Sequence, residues 1–285
     1  MNLNPKLLAY FLQCKYTHWR IYQMKQITNH ICSTSLKFIF IVLSIFSITE
    51  VSADSKPELN HVALIADGNR RWAKENNLEP TEGHKEGFIH TTPKLIEDLW
   101  DLGIHTVTVW GFSTANWNRE EREVANLMEY FDQFLKKMVP IAKKWNAKII
   151  HLGRKSRFPA YLQQTLSLAE KETSSCNGHV FNFAIDFGGR DEITRACQKV
   201  QSLKGNLDSI TEEDLSAAMD SAQQPFPSPD LIIRASGEMR LSGFMPWNSI
   251  YSELYFIKKY YPSFTKLDLE EAIASFYERQ RTYGK

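Results

Sequence analysis

Apolar positions along the chain alternate between short continuous runs and longer stretches of helical spacing, and the alternation begins at His61. The run 61–66 (HVALIA) stops at Asp67-Gly68-Asn69. Over 87–102, Ile89, Leu95, Ile96, Leu99 and Leu102 recur at helical spacing, which predicts a helix stopped by Gly103. The β-branched run 105–112 (HTVTVWGF) predicts a strand, and the amphipathic stretch 120–144 a long helix, broken or kinked near Pro140. Further strands are expected at 147–152, 179–187, 230–234 and 251–257, and further helices at 160–172, 191–203 and 266–281.

Strands alternating with helices imply an α/β fold: a single domain with a mostly parallel six-stranded sheet flanked by helices. Open sheets of this kind bind ligands at the carboxyl ends of their strands. Four polar clusters stand just after predicted strands. They are Asp67-Gly68-Asn69-Arg70-Arg71-Trp72, the stretch from Ser113 to Arg119, Gly188-Gly189-Arg190, and the stretch from Arg234 to Ser242. In a parallel sheet all four share one edge.

Those clusters bring several arginines, hydroxyls from Ser113 and Ser242, and one carboxylate, Asp67. Arginine forks match phosphate oxygens, and helix N-termini favour anions. A carboxylate in such a site repels the ligand unless a divalent cation bridges the two. Glu253 on the last strand is a candidate second oxygen ligand. Each residue alone has a plainer reading. DGN is a tight turn, Ser113 a helix cap, His84 a structural histidine, Trp72, Trp110 and Trp117 core, and Arg234 or Arg240 a surface ion-pair partner. Their joint occurrence, in order, at strand ends points to a Mg²⁺-assisted enzyme that handles diphosphates without a Walker P-loop.

Composition narrows the class. The chain has 285 residues, of which 43% are hydrophobic and 24% charged, as in a globular protein. A formal net charge of +1 argues against a bulk nucleic-acid binder. The four cysteines, Cys14, Cys32, Cys176 and Cys197, form no CxxC pair, which excludes a zinc ribbon. Charge is uneven. Up to Ala53 the basic residues are Lys6, Lys15, Arg20, Lys25 and Lys37, against Glu50 alone. The apolar run 38–48 (FIFIVLSIFSI) follows Lys37 and is short for a membrane crossing. It leads into Val51-Ser52-Ala53, so residues 1–53 form a leader and 54–285 the main domain. Three readings of the leader stand open. They are an export signal, cut after Ala53 or left uncut, whose n-region is more usual if Met24 is the true start; a membrane tether on a cytosolic enzyme; and an untidy extension from a mis-assigned start.

The main domain resembles the cis-prenyltransferases, the undecaprenyl diphosphate synthase family, from about His61 to Gly284. The resemblance rests on five ordered motifs: HVALIADGNRRWAKENNLEPTEGHKEG, WGFSTANWNREEREVANLM, FNFAIDFGGRDEI, and PDLIIRASGEMRLSGFMPWNSIYSELYF, which holds the fourth and fifth. It implies a homodimer that condenses an allylic diphosphate, typically farnesyl diphosphate, with isopentenyl diphosphate. It also implies a Mg²⁺ requirement and a cis-polyprenyl product, by default a lipid carrier precursor. That product, with the leader, implies proximity to a membrane, although the family default is cytoplasmic.

The resemblance also assigns residues. Asp67 matches the essential aspartate that places Mg²⁺ and the departing diphosphate. Gly68, Asn69, Arg70, Arg71 and Trp72 match the allylic diphosphate cradle, and His84 a histidine near that diphosphate. Ser113, Asn116, Trp117 and Arg119 match a loop over the substrate, with Asn116 positioning or relaying a proton. Arg234, Arg240 and Ser242 match the isopentenyl diphosphate clamp, and Glu253 a metal ligand near the dimer interface. Leu95, Leu99, Leu127, Met128 and Phe131 are candidates for a chain-holding tunnel, with core packing as the plainer reading.

Departures fall at Pro80, where many bacterial relatives have arginine, at Ala115 in place of glutamate, at Asp186 in place of asparagine, and at 243–246 (GFMP). They bear on rate, primer preference and chain length. Two alternatives follow: a short-chain or specialised isoprenyl transferase, and a non-catalytic regulatory member, against which the presence of Asp67, Asn69 and Arg71 speaks.

Overall fold

In the computed structural model the described residues are 58–205 and 209–282. The leader, its Ala53 boundary, Cys14 and Cys32 lie outside them. Six strands form one sheet: β1 (His61–Ile65), β2 (Thr106–Ser113), β3 (Ala147–Leu152), β4 (His179–Phe187), β5 (Leu231–Arg234) and β6 (Glu253–Phe256). Their order is β3-β4-β2-β1-β5-β6, and every pairing is parallel. The chain therefore starts in the middle of the sheet, builds one half through β2–β4, and returns to build the other from β5. β1 lies between β2 and β5, so its carboxyl end is a topological switch point, where connections leave in opposite directions and open a crevice.

Alternation along β1 shows why both faces are covered. Val62 and Leu64 enter the larger core, while Ala63 and Ile65 enter a smaller one with Phe187, Phe244 and Met245. The larger core is rich in phenylalanine. Phe88, Phe112, Phe131, Phe134, Phe181 and Phe183 are all essentially inaccessible, and Phe131 meets Phe88 edge-on at 5.2 Å and Phe183 at 5.3 Å. Leu95, Leu99, Leu127 and Met128 are packed in the same core.

The helices are α1 (Asn69–Glu75), α2 (Pro80–Lys85), α3 (Thr92–Asp101), α4 (Glu121–Lys144), α5 (Ala160–Glu172), α6 (Gly189–Lys204), α7 (Glu212–Ala218) and α8 (Lys266–Tyr277). Three details differ from the periodicity. The expected helix at 87–102 starts earlier, at Pro80, and passes through a π-helical stretch, Glu86–Thr91, before α3. There Thr92 Oγ1 donates to Gly87 O at 2.7 Å, and a side chain on Gly87 would come within 2.4 Å of Asn69 Oδ1. α4 runs through Pro140 without interruption; the lost N–H is offset by the packing of the helix, where Met138 and Ala142 are buried on either side. α7 has no counterpart among the expected helices; Thr211 caps it, its hydroxyl accepting from Asp214 N.

Candidate active site

The crevice at the switch point is an open cleft of about 950 Å³. Its walls come from the ends of β1, β2 and β5 and from α1 and α2. Gly68 makes the turn out of β1 with φ 93°, and a side chain there would meet Tyr260 at 2.6 Å and Ser236 at 2.9 Å. Only glycine fits both the left-handed backbone and that close approach. Gly83 is equally constrained, because a Cβ would sit 2.0 Å from Asn69 O, so α2 packs directly on the backbone of α1.

Asp67 is the carboxylate at the mouth of the cleft. Its Oδ1 accepts from Gly68 N at 2.7 Å and from Arg71 Nη2 at 3.3 Å, and its Oδ2 accepts from Arg234 Nη2 at 2.9 Å. Burial pushes the carboxyl pKa up, but the Arg234 hydrogen bond and charge, the Gly68 N–H and Arg71 outweigh it, so it lies below its ordinary value. The buried Arg234 also donates to Ser242 Oγ at 2.9 Å and to the Arg240 carbonyl. Arg71 donates to Ser236 Oγ at 2.8 Å and to Glu238 Oε1 at 3.1 Å, beneath the ring of Tyr260. On the opposite wall, Glu123 Oε1 accepts from Arg119 Nη1 at 2.9 Å and stands 3.2 Å from His84 Nε2. The His84 hydrogen bond, with Arg119 and Arg70, outweighs burial and pushes the Glu123 pKa down to about 2. His84 itself is lowered, chiefly by burial. Asn116 Oδ1 accepts from Ser113 N at 2.9 Å, which fixes the short turn Thr114–Asn118.

The structure brings together Asp67, Gly68, Asn69, Arg70 and Arg71 with His84, Ser113 and Asn116 along one cleft, and Arg119, Arg234 and Ser242 complete it. Four expected residues lie elsewhere. Trp72 turns away and donates from Nε1 to Ser263 Oγ at 2.8 Å. Trp117 donates from Nε1 to Asp186 Oδ1 at 2.8 Å, behind the cleft wall. The Arg240 side chain is exposed and pairs with Glu238, leaving only its carbonyl near Arg234. Glu253 is at the amino end of β6, paired in register with Leu231, whereas Arg234 pairs with Phe256. It lies about 10 Å down the sheet from the cleft edge, at ~3.3 Å per residue, and its Oε2 accepts from Arg279 Nη1 at 2.7 Å. Within one chain Glu253 therefore does not join Asp67.

Three polar groups of the cleft network were not singled out in the sequence. Glu123 carried a signal only in its spacing, four residues after Arg119, which lies in extended backbone just before α4. Ser236 and Glu238 lie inside the Arg234–Ser242 cluster but join the network only through contacts with α1. Pro80 lines the cleft. Pro246 presses on the start of α6, where a Cβ on Gly189 would meet its ring at 1.9 Å. Among the described residues no cluster of three or more His, Cys, Asp or Glu side chains is placed to hold a metal, and no helix is long and apolar enough to cross a membrane.

Comparison with known proteins gives the same family three ways. The prenyltransferase family model for undecaprenyl diphosphate synthase matches residues 65–284. An isoprenyl transferase of Treponema denticola is 40% identical over 227 residues, 80% of this chain and 98% of its own length. An isoprenyl transferase of Fusobacterium nucleatum is 39% identical over 224 residues, 79% of this chain and 95% of its own. Among solved structures, lavandulyl diphosphate synthase from Lavandula x intermedia, in complex with dimethylallyl diphosphate, aligns with a TM-score of 0.76 and 37% identity over 79% of this chain and 98% of its own. A "probable undecaprenyl diphosphate synthase" from Campylobacter jejuni aligns at 0.67 and 31% identity over 80% of this chain and all of its own. The chain belongs to the undecaprenyl diphosphate synthase family and is a prenyltransferase.

Proposed function

We propose that this prenyltransferase condenses isopentenyl diphosphate with an allylic diphosphate, farnesyl diphosphate as the primer, to give a cis-polyprenyl diphosphate that serves as a lipid carrier precursor. The observation that carries the reading is the single carboxylate of Asp67 set between Arg71 and Arg234 where the sheet divides. Two guanidiniums on opposite sides of one carboxylate suit two diphosphates that must lie side by side.

Each residue then has a task. Gly68, Asn69, Arg70 and Arg71 bind the allylic diphosphate, with His84 at its flank and Trp72 bracing the cradle from behind through Ser263. Arg234 and Ser242 bind the isopentenyl diphosphate, with Arg240 completing the clamp once it leaves Glu238. Ser113, Asn116 and Arg119 lie between the two and orient the alkene towards the departing diphosphate, while Trp117 holds their turn in place. Fixing both reactants in this way removes the entropy cost of their encounter. Asn116 positions the proton that leaves when the new double bond forms.

The donor set fits Mg²⁺. This ion keeps several waters and takes one or two carboxylates together with substrate phosphates, and Asp67 offers one carboxylate at the mouth of the open cleft. Bound there, the ion supplies charge neutralisation for the leaving diphosphate. Glu253 can serve as a further ligand only across a homodimer interface, since its own cleft is at the other end of the sheet. The exposed Ile250 and Tyr251 beside the edge strand β6 support such a dimer. The leader and the greasy product support membrane proximity.

A second reading of product length rests on the phenylalanine core. The space below the cleft is filled by Phe88, Phe112, Phe131 and Phe183, and this favours a short chain. One experiment addresses both readings. The full-length chain is given labelled isopentenyl diphosphate and farnesyl, geranyl or dimethylallyl diphosphate, with Mg²⁺ or with chelator, and products are sized by chromatography. Long cis chains that vanish with chelator support the carrier reading, and one or two additions support the short-chain reading. No incorporation with any primer refutes both.

A further inference from the structure

Trp117 turns its back on the cleft that its neighbours Asn116 and Arg119 line, and the group that receives it is a buried charge. Asp186, near the end of β4, is wholly inaccessible and has φ 47°, a left-handed conformation in which Asp and Asn are enriched several-fold. Both of its carboxylate oxygens are engaged. Oδ1 accepts from Trp117 Nε1 at 2.8 Å, Oδ2 accepts from Arg157 Nε at 2.7 Å, and Arg157 Nη2 donates to Oδ1 as well. The Arg157 guanidinium also lies 5.5 Å from the centre of the Trp117 ring, within cation–π reach. The indole is walled by Phe112 at 5.2 Å and Phe158 at 6.1 Å. One ion pair thus joins three segments: the turn Thr114–Asn118, the end of β4, and the connection between β3 and α5.

The geometry points to Asp186 and Arg157 as positioning residues that hold the turn Thr114–Asn118, and with it Asn116 and Arg119, in the arrangement that condensation needs. The reason is the cost of any other arrangement. A carboxylate without solvent must keep its cation, so Arg157 is held even though its side chain is nearly half exposed. An indole N–H set among phenylalanines must keep its acceptor. With Trp117 bound to Asp186 on one side and Asn116 bound to Ser113 N on the other, the turn cannot roll without breaking one of these partly buried bonds. The inference deepens the reading of the cleft as a condensation site and rests on it.

The test uses the full-length chain with Mg²⁺, labelled isopentenyl diphosphate and saturating farnesyl diphosphate. It reads kcat for the first addition, KM for isopentenyl diphosphate and the thermal midpoint together. Arg157→Gln strands the buried carboxylate and is expected to lower kcat by about tenfold or more, with KM changed less. Adding Asp186→Asn removes the stranded charge and keeps an oxygen for Trp117, so the double variant is expected to recover to within about threefold of the parent. Trp117→Phe keeps an aromatic ring between Phe112 and Phe158 but loses the N–H and the five-membered ring, and is expected to lower kcat by more than its modest fall in thermal midpoint accounts for. Parent-like kcat in Arg157→Gln and Trp117→Phe overturns the inference. So does a loss that tracks the thermal midpoint in every variant without recovery in the double. Incorporation by the parent chain shows that the cleft reading stands, so a flat series then strikes this inference alone. No incorporation by the parent strikes the reading beneath both.

Discussion

Arg234 Nη2 lies 2.9 Å from Asp67 Oδ2, so the carboxylate that follows β1 is the counter-charge of the arginine that ends β5. Ile65 and Arg234 are register partners, which brings the two within reach although 167 positions separate them. In the free protein the pair neutralises a nearly buried guanidinium, whose Nε is left without a partner. A diphosphate entering the cleft must share Arg234 with Asp67, and a cation that relieves the carboxylate makes that sharing favourable.

Asp67→Ala removes both the carboxylate proposed to hold Mg²⁺ and the partner of Arg234. Condensation is expected to fall by at least about 100-fold. Stability is expected to fall by only about 1–2 kcal/mol, because Arg234 keeps Ser242 and the Arg240 carbonyl. Radiolabel incorporation and urea unfolding read the two effects; a variant that retains a tenth of the parent rate would refute the assignment.

Glu123→Gln removes the negative charge that His84 and Arg119 share and puts an NH₂ in place of one carboxylate oxygen. KM for the allylic diphosphate is expected to rise about tenfold, near 1.4 kcal/mol, with a smaller change in kcat. The carboxylate raises the His84 pKa against the lowering by burial, so its loss lowers the His84 pKa further. The acid limb of the kcat/KM profile should then move to lower pH. A limb that stays in place would show that His84 does not report there.

Acid should weaken the fold. Burial lowers the His61 pKa to about 3 and the His151 pKa to about 4, against 6.5 when exposed. Below about 6.5 the unfolded chain takes up protons that the folded chain refuses, so this stability is present above that pH and is lost as pH falls towards the folded values. Each histidine costs about 1.4 kcal/mol per pH unit in that window. Glu192, raised by burial to about 7, acts in the opposite sense between its ordinary value and 7 and offsets one of them. The net expectation is a urea midpoint that falls from pH 7 to pH 5, and a flatter dependence in His61→Gln. Equal slopes in parent and variant would contradict the role given to His61.

Gly83→Ala tests the backbone contact beneath the cleft. Its methyl would sit 2.0 Å from Asn69 O, so α1 and α2 must separate. A loss of about 1–3 kcal/mol is expected, with a fall of about 2–4 °C in thermal midpoint for each kcal/mol. Calorimetry with full parental stability would remove the steric argument.

Phe131→Leu tests product length. Phe131 joins Phe88, Phe112 and Phe183 below the cleft. If this floor limits the chain, the smaller side chain shifts the product distribution to longer species on reversed-phase chromatography. An unchanged distribution removes Phe131 from the limit.

The alternation of strands and helices was legible because it is local. HVALIA at 61–66 and the helical spacing in 120–144 each follow from side chains a few positions apart, and these set six strands and a covered parallel sheet. The polar clusters were legible for the same reason: parallel strands all end at one edge, so residues after strands meet there whatever the strand order. The π-helical stretch was not legible, because it depends on Gly87 meeting Asn69, which only packing reveals.

The sequence by itself determined which chemistry was present: one aspartate among arginines, glycines where the chain must turn, and hydroxyls at strand ends. Tertiary structure alone decided which of these side chains face each other. Placing β1 between β2 and β5 joined Asp67 to Arg234, and the packing of α2 on α4 joined His84 to Glu123. Other tertiary contacts turned Trp72 and Trp117 away from the cleft, onto Ser263 and Asp186, and left Glu253 at the far end of β6. The physical reason is that periodicity fixes the face and direction of an element, whereas strand order and side-chain partners are set by pairings between distant segments, which no local pattern encodes.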